Sequence, residues 1–127
     1  MSLKTITITI SSLVVLLLIL SIARNPLRLP DIVIKDYLLS ELPLGTNIKV
    51  VEQFVREKEW KLAYVSRTTG YIDQQSPTNK VVGEMSIRAE LGSYQGLPFE
   101  TSVTVFWGFD KKGNLIDMWV WKTRDGI

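Results

Sequence analysis

The side chains available for chemistry in this chain are few. It has no histidine and no cysteine. That removes the commonest general base, the commonest metal ligand and every thiolate. Zinc hydrolases, serine–histidine triads, disulfides and a lipid-modified N-terminal cysteine are excluded with them. Carboxylates, tyrosines, lysines and hydroxyls remain. Glu90 and Asp117 fall on the same face of neighbouring alternating segments, and paired carboxylates can divide acid and base roles. A tyrosine from a polar segment, Tyr71 or Tyr94, would be the third group. Surface charge is the simpler reading of both carboxylates, because no further polar cluster accompanies them. Asp110 most simply starts a hairpin turn. Gly45 and Gly113 are turn glycines, and neither a GxGxxG nor a P-loop pattern is present. The residues imply no cofactor and no metal.

Aromatic residues make the stronger constellation. In the segments around residues 84–91, 101–109 and 115–122, apolar and polar positions alternate with period two. Met85, Ile87, Ala89, Leu91, Val103, Val105, Trp107, Phe109, Ile116, Met118 and Val120 fall on one face. Glu84, Ser86, Arg88, Glu90, Thr104, Phe106, Gly108, Asp117, Trp119 and Trp121 fall on the other. If the second face is open, Phe106, Trp119 and Trp121 form an aromatic patch rimmed by Arg88, Glu90 and Asp117. Such a patch is what binding surfaces look like, and Trp and Arg are frequent hot spots. Cross-strand packing explains the same aromatics without a partner. The polar stretch 67–80, the 25–30 linker or a second copy of the chain are possible covers. Tyr71 and Tyr94, placed in loops, are further candidate contacts.

The elements that must hold these residues follow from periodicity. Residues 31–42 carry an apolar stripe of Ile32, Ile34, Leu38, Leu39 and Leu42, with Asp31 as cap. Pro43 and Gly45 break the helix. Thr46 or Asn47 caps a second helix to about Lys58, with Ile48, Val51, Phe54 and Val55 on its dry side. Four strands follow: 60–66, 81–91, 101–109 and 115–122. Loops cover 67–80 and 92–100, and Asp110–Asn114 forms a tight turn. The expected fold is α+β, a two-helix hairpin on one face of a four-stranded antiparallel sheet.

The chain is 46% hydrophobic over 127 residues, but 15 of its apolar residues lie in the first 23. Residues 5–23 carry no charge, and as a helix they would span about 28 Å, close to bilayer thickness. Residues 1–24 read as a signal anchor or as a cleaved signal peptide, with Ser21-Ile22-Ala23 as the site of cleavage. The length of the run favours the anchor. Residues 25–30, with two prolines, form a linker, and residues 31–127 a single domain. Export through this segment places the domain outside the cytoplasm: single-pass in a bacterial inner membrane and facing the periplasm, or secreted if cleaved. Net charge is +2 with no long basic run, so nucleic acid is not expected as a partner.

The turn Pro43-Leu44-Gly45-Thr46, with Val51 and Phe54 after it, resembles the Gly-Thr entry of a group of small α+β domains. The segment Phe109-Asp110-Lys111-Lys112-Gly113-Asn114-Leu115 resembles their closing aromatic–Asp–x–x–Gly–x–Leu turn. That group comprises the β-lactamase inhibitor protein domains and the SmpA/OmlA-type outer-membrane assembly lipoproteins. The resemblance covers about residues 31–124 and is mainly topological. It implies an extracytoplasmic interaction module rather than an enzyme. The lipoproteins carry an acylated cysteine that this chain lacks, and the apolar N-terminus would serve as anchor instead. The reading expected from the sequence is therefore a membrane-anchored module that binds a protein. A carboxylate enzyme and a structural homodimer stand as alternatives.

Overall fold

A computed structural model describes residue 13, residues 25–96 and residues 98–124. The expected membrane segment, apart from residue 13, lies outside the described residues, and among those described no helix is long and apolar enough to cross a membrane. Helix α1 spans Asp31–Glu41 and α2 spans Ile48–Glu57. Six strands follow: β1 Lys61–Ser66, β2 Tyr71–Asp73, β3 Lys80–Val82, β4 Met85–Gln95, β5 Glu100–Phe109 and β6 Leu115–Arg124. Strands β1, β4, β5 and β6 form the antiparallel sheet in the order β1-β4-β5-β6. This is the expected α+β architecture.

Local chemistry accounts for the helices. Asn47 caps α2, its side-chain oxygen accepting from the Lys49 amide at 2.9 Å. Ile48, Val51 and Val55 then face the sheet and are buried. In α1, Ile34 and Leu38 are buried, as is Leu42 just after it. Ile32, expected on the same stripe, is exposed, and Asp31 is the first helical residue rather than the cap. The inter-helix turn is fastened to the β5–β6 hairpin. The Gly45 amide donates to the Leu115 carbonyl and the Leu115 amide to the Thr46 carbonyl, both at 2.8 Å. The two short motifs thus pair with each other.

The helix-covered face holds the main core: Ile87, Ala89, Val103, Val105, Trp107, Phe109, Leu115, Met118 and Val120 meet α1 and α2. Ile116 departs from the expected pattern. Gly108 pairs with Asp117 but Phe109 pairs with Leu115, so Ile116 is an extra, bulged residue, and it is 45% exposed. Leu115 takes its core position.

Three segments expected as loop or linker are built into the fold. Residues 67–80 contain β2 and lead into β3, and these two strands pair as a separate two-stranded sheet. Val81 and Val82 belong to β3, not to β4, because Gly83, at φ +80°, turns the chain between them. Residues 92–100 extend β4 and β5 to the pair Gln95–Glu100. Gly92, at φ +130°, takes the second register shift, which lets the hairpin continue past Leu91.

The 25–30 segment is docked rather than free. It forms a 3-10 turn, Pro26–Arg28, capped by Asn25. Leu27 and Leu29 pack on the core, Arg28 donates to the Gln95 carbonyl at 2.8 Å, and the Lys122 ammonium donates to the Leu29 carbonyl at 2.6 Å.

Candidate functional site

Strand register arranges the outer face in rows. Ser86, Gly108 and Asp117 make the first, Arg88, Phe106 and Trp119 the second, Glu90, Thr104 and Trp121 the third, and Ser93, Ser102 and Thr123 the fourth. The aromatic side chains run diagonally across these rows as a continuous stack. Phe106 and Trp119 lie 5.3 Å apart between ring centroids with planes 18° apart, and Trp119 and Trp121 lie 5.4 Å apart at 28°. Offset stacking of this kind is worth about 0.5–1.5 kcal/mol per pair beyond burial.

This face is not uniformly open, and that corrects the expected patch. The β2–β3 hairpin folds over its first two rows. Tyr71 and Val82 form a second core cluster with Phe106 and Trp119, and all four are at most 8% exposed. The Tyr71 and Phe106 centroids are 5.6 Å apart. The Ser86 hydroxyl, fully buried, donates to the Thr69 carbonyl at 2.9 Å and ties down the hairpin's root. Tyr71 is therefore a buried strand residue, not a loop contact. Burial, with the nearby charges of Asp117 and then Asp73, pushes its phenol well above the usual tyrosine range.

The hairpin does not reach the third and fourth rows, where only Thr104 is buried. Together with Arg88 they line a groove of about 420 Å³ that includes Glu90, Ser93, Ser102, Thr104, Trp121 and Thr123. Trp121 is half-buried, its ring resting on the stack below it. Glu90 takes Lys61 at 3.4 Å across the β1–β4 pair and Arg88 at 3.9 Å along its own strand. The Arg88 guanidinium also lies 5.3 Å from the centre of the Phe106 ring. Exposed ion pairs add at most about 1 kcal/mol each to stability. Their consequence here is geometric: they set a cation and an anion next to each other beside an aromatic platform.

The eight candidate residues thus separate. Arg88, Glu90 and Trp121 meet at the groove. Phe106, Trp119 and Tyr71 are packed beneath or within the hairpin. Asp117 stands in the first row, exposed, with Lys35 of α1 at 3.8 Å. It is remote from Glu90: their partners on β5, Gly108 and Thr104, are four residues apart, about 13 Å along the strand. The paired-carboxylate arrangement is not formed. Tyr94 lies in β4 rather than a loop and packs toward the main core, with Arg28 at 5.0 Å and Lys122 at 5.2 Å from its ring centre.

Four groove residues escaped the sequence reading: Ser93, Ser102, Thr104 and Thr123. Thr104 was on the right face but carries no distinctive chemistry. Ser102 falls in the expected strand 101–109 but is equally undistinctive, while Ser93 and Thr123 fall in segments that read as loop and tail. A protein-family model, a curated protein or a solved structure that matches this chain was not found.

Proposed function

We propose that this chain is a membrane-anchored, extracytoplasmic protein-interaction module, non-catalytic, that seats a protein partner on the uncovered half of its outer sheet face. Residues 5–23 are the anchor, in a bacterial inner membrane, and the domain faces the periplasm. One observation carries the reading: Trp121 forms a half-exposed aromatic platform on a buried stack, with Arg88 and Glu90 set beside it in an open groove. An anchored aromatic next to a charge pair is the composition of an interface hot spot. The polar groove walls match the rim of such a patch. The resemblance to outer-membrane assembly lipoproteins points the same way.

The test is crosslinking in intact cells from a photoreactive residue at position 121, with mass spectrometry of the adduct. A discrete adduct that is lost in Arg88→Glu is expected. An adduct pattern identical to that from position 116, on exposed surface elsewhere, would remove the groove as the site.

A second reading, the homodimer, has one observation in its favour. Strand β6 is an edge of the sheet and has no strand partner on its outer side among the described residues. Light scattering on the purified chain distinguishes it by mass.

A further inference from the structure

On the side of the molecule away from the groove, the strap Pro26–Leu29, helix α1, Lys58 and Trp60 ahead of β1, and Leu91 of β4 line a second, open cavity of about 540 Å³. Small-molecule sites run about 300–1,000 Å³. Its walls include Leu27, Leu29, Ile34, Tyr37, Trp60 and Leu91, all of them apolar or aromatic. Lys58 is its one charged lining residue. The α1 surface beside it stays unmet as well: Val33, also at the cavity, is 42% exposed and Tyr37 is 46% exposed. Apolar surface left in water costs about 25 cal/mol per Å², and no other part of the described chain covers this stretch.

We infer that this cavity binds the acyl chain of a free fatty acid, with the Lys58 ammonium receiving its carboxylate at the rim. Charge and shape single out that occupant. The wall offers a hydrocarbon only hydrophobic contacts. The lining offers one cation, which matches one carboxylate better than a headgroup needing several donors. Lys58 is exposed and makes no ion pair at 4.0 Å or less among the described residues, its ammonium lying 5.3 Å from the Phe54 ring centre. The position of the cavity agrees. Pro26 and Leu27, which form part of its wall, begin only two residues after the apolar run and Arg24. On the anchored reading, that puts the mouth beside the bilayer, where fatty acids partition. The inference is independent of the groove and its partner.

The full chain, reconstituted in phosphatidylcholine nanodiscs, is photolabelled with palmitate bearing a diazirine on its acyl chain, and the adducts are mapped by mass spectrometry. Adducts are expected on the peptides that carry Tyr37, Trp60 and Leu91. Val33→Trp, which fills the cavity from its rim, is expected to abolish them, and Ile116→Trp on distant surface to leave them. Lys58→Gln should lower labelling by the free acid about two- to fivefold, the equivalent of one exposed ion pair, without changing labelling by the methyl ester. Adducts confined to residues 5–23, or labelling that Val33→Trp leaves unchanged, would overturn the assignment. So would equal loss of acid and ester labelling in Lys58→Gln. Should Val33→Trp fail to fold, the acid–ester comparison at the exposed Lys58 decides alone.

Discussion

The Tyr71 ring lies directly on Gly108. A Cβ placed at Gly108 would come within 2.9 Å of Tyr71 Cε1 and 3.0 Å of Val82 Cγ1. The absence of a side chain at one strand position is thus what admits the β2–β3 hairpin to the sheet, and the hairpin is what divides the outer face into a covered and an open half.

Gly108→Val is expected to push the hairpin off the sheet. Overpacking of this kind costs about 1–3 kcal/mol. Limited proteolysis should show faster cleavage within residues 67–80, while the main core, which Gly108 does not enter, keeps its near-ultraviolet signature. Unchanged cleavage would mean that the hairpin is not held there.

The two stacked tryptophans should respond differently to truncation. Trp119 is 8% exposed and sandwiched between Phe106 and Trp121, so Trp119→Ala is expected to cost about 3–5 kcal/mol in urea unfolding. Trp121→Ala removes a half-exposed ring and should cost clearly less, while losing the partner adduct. Equal stability losses would show that the groove platform is itself part of the core.

Asp110 supplies an acid-sensitive contact. The amides of Asn114 and Lys112 each donate to its carboxylate at 2.9 Å, and these hydrogen bonds, Asn114 first, hold its carboxyl below the ordinary aspartate value. A group whose pKa is lowered on folding contributes stability above its unfolded value, about 3.9. That contribution is lost as pH falls through the lower folded value. Asp110→Ala should therefore be less stable than the parent at pH 7, with the difference shrinking as the pH falls below about 4. A difference independent of pH would assign the effect to the turn backbone instead.

Tyr71 gives the opposite sign at high pH. Its phenol is raised on folding, so the buried neutral form favours the native state below the unfolded value of about 10, and that advantage is lost as pH rises beyond it. Tyr71→Phe should blunt the alkaline loss of stability above about pH 10, measured by urea midpoints. A parent and variant with parallel alkaline profiles would contradict the burial of this phenol.

Much of the architecture was legible because it is written in local periodicity. Ile48, Val51 and Val55 recur at helical spacing, and Ile87, Ala89, Val103, Val105 and Trp107 alternate at strand spacing. Each pattern names both an element and its buried face. The resulting face assignment placed Arg88, Glu90 and Trp121 together correctly. It failed where a single extra residue changed parity, as at Ile116, since a bulge leaves no periodic trace.

The hairpin was missed for a related reason. Tyr71–Asp73 and Lys80–Val82 are three residues each, too short to show a period, and the polar stretch between them reads as loop. Gly108, small and outward-facing between the positions of Phe106 and Asp117, was the available hint that something must pack there. Tyr94 and the 25–30 strap were misplaced because their contacts lie far away in sequence: Arg28 meets Gln95 and Lys122 meets Leu29.

By itself, the sequence determined the absence of histidine and thiol chemistry, the apolar N-terminal run, the two helices, the amphipathic face of the second, and the alternating strands. These depend on composition and on neighbours a few residues apart. Only the tertiary structure decided which aromatics are covered, that Glu90 and Asp117 stand apart, and that a strap and helix α1 line an apolar cavity. Those outcomes depend on contacts between residues tens of positions apart, and short-range patterning carries no record of them.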